Sequence, residues 1–154
     1  MRNLILLLAL AGTVFGIGCG SSNQDAGSAS PVEQQEEAWA KMMEVHDAVM
    51  PKMAEMNRVS RELKALAEGL EDKTQLELIN NAVENLEAAS EGMMVWMGEL
   101  QQPKKLREEK SHEEIMDYLN AETEEITQVQ EDMLSSLEQG QTLLKELQAE
   151  TAAE

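Results

Sequence analysis

Met42, His46 and Met50 stand four residues apart, so on a helix they fall on one face, each a turn beyond the last. Thioether sulfur and neutral imidazole nitrogen are soft, uncharged donors, the kind that select Cu(I) or Ag(I) over hard divalent ions. Met93 and Met97 repeat the spacing further along, with Trp96 between them. The chain carries 11 methionines, ten of them beyond the initiator, and Met43, Met53, Met94 and Met116 thicken the same cluster. Two other readings fit these residues. Methionine is a helix former that fills irregular gaps in cores, and a histidine among methionines can satisfy a backbone group. A Met-rich face can also serve as a pliable groove for a partner helix.

Other chemistry is sparse. With two histidines and one cysteine in the chain, the sequence shows no His-Glu-x-x-His, no zinc ligand spacing, no Gly-rich phosphate loop and no nucleophile with an evident base. An enzyme is not expected, and apart from Cu(I) or Ag(I) no cofactor is. Lys104, Lys105, Arg107 and Lys110 form the one basic run on an acidic chain, readable as a solvated loop or as a docking patch for an acidic partner.

The lone cysteine, Cys19, follows Arg2, the uncharged apolar run Leu4 to Val14, and Phe15-Gly16-Ile17-Gly18. Such a run is too short for a permanent membrane span and reads as a secretory signal. Gly18-Cys19 and Ile17 resemble the bacterial lipobox, which departs here at Gly16, where the pattern prefers leucine. The expectation is a signal peptide over 1–18, cleavage before Cys19, and acylation of its thiol. A single cysteine cannot close an internal disulfide, which leaves an exported cysteine in need of another use. Gly20 to Ser30 (GSSNQDAGSAS) has too little apolar bulk to fold and reads as a tether within 19–30. The expected place is the cell envelope, anchored through acyl groups and facing either the periplasm or the outside.

Residues 31–150 must then position the cluster. Losing Arg2 takes the formal charge from −18 to −19, a surface that attracts neither nucleic acid nor anionic lipid. Ala, Glu, Leu, Gln and Met dominate, while the β-branched and aromatic residues of a sheet are scarce. Capping boxes at Ser30-Pro31-Val32-Glu33, Thr74-Gln75-Leu76-Glu77 and Ser111-His112-Glu113-Glu114 each open an apolar-periodic segment. They predict helices over 31–69, 75–102 and 112–150, with 151–154 as a frayed tail. Gly69 reads as a left-handed helix end, Pro103 as the stop of the second helix, and Pro51 as a kink inside the first.

The seams alternate three and four. The first runs Trp39, Met42, His46, Val49, Met53, Met56, Ser60, Leu63, Ala67 and Leu70. The second has Leu76, Ile79, Val83, Leu86, Ser90, Met93, Met97 and Leu100, and the third Ile115, Leu119, Glu122, Ile126, Val129, Met133, Ser136, Gly140, Leu143 and Leu147. Coiled-coil-like spacing and short turns give an all-α, up-down-up three-helix antiparallel bundle. At ~1.5 Å per residue the outer helices reach about 57 Å and the middle one about 42 Å. An overhang follows, leaving exposed seam or a homodimer contact. Gly92, Gly98 and Gly140 read as points of close approach or bending. Equal counts of 23 residues, from His46 to Gly69 and from Thr74 to Met97, set those two side chains at one level.

The stretches His46-Asp47-Ala48-Val49-Met50-Pro51-Lys52-Met53 and Met93-Met94-Val95-Trp96-Met97 resemble a recurring group of small Bacteroidota lipoproteins labelled "viral A-type inclusion protein". The resemblance runs loosely from residue 38 to residue 147. It implies a helical exported domain and transfers no site residues. Two functions are therefore expected: a tethered, non-catalytic module that binds an envelope protein, or a periplasmic soft-metal protein using Met42, His46, Met50, Met93 and Met97.

Overall fold

The computed structural model of the chain describes residues 29–151. The expected signal peptide, Cys19, nearly all of the tether and residues 152–154 lie outside the described residues. All regular structure among the described residues is helical: α1 (Pro31–Val49), α2 (Lys52–Ala67), α3 (Lys73–Glu99), α4 (Pro103–Leu106) and α5 (His112–Thr151). No helix among them is long and apolar enough to cross a membrane.

Local chemistry sets the starts. Ser30 caps α1 by accepting from Glu33 N–H, while the Glu33 carboxylate reaches back to Ser30 N–H at 2.6 Å. Ser111 and Glu114 make the same reciprocal pair at the head of α5. The third box is not used as expected. Asp72 is the cap of α3, accepting from Thr74 and Gln75 N–H at 2.7 and 3.2 Å, so Thr74 lies inside the helix. An ionised Asp is a full acceptor beside the positive helix end, and it lies two residues upstream of the threonine.

The first predicted helix is bent at Pro51, as expected, with α1 and α2 on either side of the joint. Pro51 has no N–H to continue the ladder, and α1 ends at Val49. Met50 and Pro51 nevertheless keep right-handed dihedrals. Met50 N–H still reaches His46 carbonyl at 2.8 Å, and Met53 N–H bonds Met50 carbonyl at 3.2 Å. The joint is therefore a bend, and the buried positions Val49 and Met56 continue across it. At the far end α2 stops at Ala67, and Gly69 and Leu70 close it with bonds back to Leu66 and Ala67. The left-handed glycine expected there does not occur, because a tight three-residue turn satisfies the last carbonyls instead.

α5 is the spine, packing against α1, α2 and α3, while α2 packs against α3. Its fully buried Ile115, Leu119, Ile126 and Met133 recur along one face, each contributing about 1.5–3 kcal/mol on burial. Further along, Leu144 is buried where the predicted seam had Leu143, and Glu122 is only half-buried. In α3, Ala89 and Trp96 take core seats that the three-four spacing passed over.

The overhang is covered. α3 ends at Glu99, and the linker then folds into α4, whose Leu106 is 3% exposed and packs with Ile115 and Leu119 against Ala38, Trp39 and Tyr118. Pro103 opens α4 as its first residue instead of stopping the preceding helix. The expected exposed seam is thus closed from within the chain by a one-turn helix where α3 runs out.

Candidate functional site

Two places gather the chemistry-bearing residues. The first is the joint between α1 and the end of α3. His46 Nε2 lies 3.3 Å from Met97 Sδ, so the level read from equal residue counts is where these side chains meet. His46 Nδ1 lies 2.8 Å from Asp47 Oδ1. An ionised carboxylate can only accept, which puts a hydrogen on Nδ1 and aims Nε2 at the sulfur. The imidazole sits 5.8 Å from the Trp96 ring, tilted by 31°. His46 keeps 14% of its side chain exposed and Asp47 73%, so the pair borders solvent on one side.

The other expected ligands are not equivalent. Met42 and Met93 are 0% exposed members of the main core. Met43 and Met50 are half-buried and pack against that core. Packing is therefore what Met42 and Met93 do, while Met97 is half-buried with its sulfur on an imidazole nitrogen. Trp96 is 2% exposed, and its Nε1–H has no partner among the described residues. An unpaired buried donor costs about 1–3 kcal/mol. Periodicity missed this tryptophan because its neighbour Met97 already filled the expected seam position. Among the described residues no three His, Cys, Asp or Glu side chains gather as a metal set, so a site here has to use sulfur.

The second place is the α4 end. Gln35, 3% exposed, has both ends of its amide engaged. Arg107 Nε donates to its Oε1 at 2.7 Å, and its Nε2 lies 3.1 Å from His112 Nδ1. Arg107 also pairs with Glu36. Because arginine only donates, Gln35 is pinned with its NH2 toward His112, which accepts at Nδ1. Arg107 is thus turned inward, apart from the basic run it was grouped with, while Lys104, Lys105 and Lys110 are exposed. Tyr118 Oη accepts from Gln101 N–H at 2.8 Å and ties the linker to α5. Burial raises the Tyr118 phenol above its ordinary value, the Gln101 bond opposes this, and Glu122 and Glu125 reinforce it. Gln35 was not legible as a site residue, since its partners lie more than seventy positions away.

Elsewhere, an open groove of about 350 Å³ between α3 and α5 is lined by small and polar residues such as Ala88, Gly92 and Ser135. An apolar notch of about 310 Å³ lies between the α2 end and the α5 end, lined by Leu66, Leu70 and Leu147. Compared with family models, curated proteins and solved structures, the chain matches none.

Proposed function

We propose that the chain is a bacterial lipoprotein, cleaved before Cys19 and acylated there, whose up-down-up three-helix bundle serves as a non-catalytic interaction module in the cell envelope. The observation that carries this reading is how the start of α1 is fastened. Directly after the Ser30 cap, Gln35 and Glu36 are bound to Arg107 and His112 at the α4 end. A lipid on Cys19, eleven residues before Ser30, draws that end toward the bilayer. α5, 40 residues long, then reaches about 60 Å away from it. The far end, with the turn from α2 to α3 and the Leu66–Leu70–Leu147 notch, faces outward, where a partner can reach it.

The bundle arrangement is supported by the five-residue turn between α2 and α3, which makes them antiparallel neighbours, and by the packing of α5 on both. The acidic surface favours a protein contact over nucleic acid or anionic lipid. The likeness to small exported Bacteroidota lipoproteins points the same way. Labelling a bacterial host with palmitate tests the anchor: the chain takes up label and sediments with membranes, and Cys19→Ala abolishes both. An unlabelled wild-type chain overturns the anchor. Cross-linking in the native envelope tests the module; a chain that captures nothing reproducibly counts against it.

A further inference from the structure

The contact between His46 and Met97 is unusual in its polarity. The Asp47 carboxylate holds a hydrogen on Nδ1, and a neutral imidazole then presents a bare lone pair at Nε2. Across from it, at 3.3 Å, is a thioether sulfur, which has no hydrogen to give. At that distance the two atoms are in van der Waals contact, and a cation lying between them on the solvent side would gain a donor bond from each.

We propose that His46 Nε2 and Met97 Sδ together form a site for a soft monovalent cation, Cu(I) or Ag(I). An uncharged nitrogen and an uncharged sulfur make a donor pair with little affinity for hard ions such as Mg²⁺ or Ca²⁺ and a preference for soft ones. The separation of 3.3 Å is short enough for one ion to contact both atoms; the bent unit this implies leaves room on the solvent side for a third donor such as water. Asp47 plays the part of the carboxylate that orients a ligating histidine through its other nitrogen. The border with solvent at His46 gives an ion its way in, and the formal charge of −18 raises cation concentration at the surface. Binding adds the cation to the free lone pair at Nε2 and to a lone pair on Sδ, with no bond broken and no electron transferred. Met42 and Met93, sealed in the core, are not ligands here. The site rests on this geometry alone and stands whether or not Cys19 is acylated.

Trp96 supplies the readout. The full chain has two tryptophans, so in a Trp39→Phe background the emission comes from Trp96 beside the imidazole. Titrating that full-length chain, with Cys19→Ser to remove the competing thiol, in detergent with Ag(I), which needs no reductant, is expected to quench Trp96 with one equivalent. His46→Ala and Met97→Leu are each expected to weaken binding at least about tenfold, and Asp47→Asn by about ten- to a hundredfold. Met97→Leu keeps the volume and helix preference of the side chain, so it stays informative if His46→Ala fails to fold. Met94→Leu, at a residue 55% exposed on the same helix, is expected to change nothing. X-ray absorption on the Cu(I)-loaded chain is expected to show a sulfur and a nitrogen neighbour. Binding that survives both His46→Ala and Met97→Leu, or that falls equally with Met94→Leu, overturns the proposal.

Discussion

Ser111 and Glu114 satisfy each other at the head of α5: the carboxylate takes the Ser111 backbone N–H at 2.8 Å and the hydroxyl at 2.7 Å. Those two bonds, the backbone one first, hold the Glu114 carboxyl below its ordinary value, as the Ser30 bonds do for Glu33. A carboxyl lowered on folding adds stability that is present above its unfolded value and is lost as pH falls through the folded one. Ser111→Ala removes the hydroxyl that caps Glu114 N–H, and loss of that cap is expected to cost about 1 kcal/mol at neutral pH. Its deficit against the wild type should narrow as pH drops below the carboxylate range, in urea unfolding followed at several pH values. A deficit constant with pH would mean that the hydroxyl contributes without Glu114. Arg107 gives a different test. Removing it leaves the Gln35 carbonyl, in a residue 3% exposed, without its donor, and Arg107→Ala is expected to cost about 1–3 kcal/mol. Glu36→Ala, which breaks only the partly exposed ion pair, should cost under about 1 kcal/mol. Chemical denaturation of the two variants separates the buried amide from the surface charge. At this scale the sequence was informative where bonds are local. The caps at Ser30 and Ser111 were legible; the Gln35 network was not, because tertiary folding alone brings its members together.

Helices read well from composition and period, and their joints read poorly. The Thr74 box misled because two capping signals overlap and the upstream Asp72 wins by charge. α4 was hidden because PKKLREEK carries one apolar residue, Leu106, whose burial depends on an overhang that local sequence does not encode. The three helix-interior glycines, expected to act alike, divide cleanly. A Cβ on Gly140 would come within 2.9 Å of Leu86 Cδ1 and 3.1 Å of stiff Val59 Cγ1, so this is where α2, α3 and α5 close on one another. A Cβ on Gly92 or Gly98 would meet nothing within 4 Å beyond its own helix backbone. Gly140→Val is accordingly expected to destabilise by about 1–3 kcal/mol through overpacking. Gly92→Ala should instead stabilise by up to about 1 kcal/mol through helix propensity. Thermal unfolding of both variants checks the pair; a stabilised Gly140→Val would mean the three helices can move apart freely.

At the scale of the whole fold, the described residues form two buried clusters, a long one along α1, α2, α3 and α5, and a short one around Leu106, Ile115 and Leu119. A small cluster walled by a single helical turn should open at lower free energy than the long one. Leu106→Ala, expected to cost about 2–5 kcal/mol of that packing, should speed amide exchange over 101–119 while leaving the protected amides of α2, α3 and the later part of α5 unchanged. Uniform acceleration along the chain would mean that both clusters unfold as one. The class of fold and the level at which His46 meets Met97 were legible, since helical period and a short turn fix both. Which methionine stays sulfur-out was not, since that depends on Trp96 taking the neighbouring core seat. The fastening of Gln35 and Glu36 to the α4 end has a mechanical side. Tension applied at Ser30 along the α1 axis runs parallel to the seam between α1 and α5, so many contacts must slide together instead of parting one by one. Such shear loading resists extraction better than peeling does, and a tug on the start of α1 meets the bundle in its stiff direction.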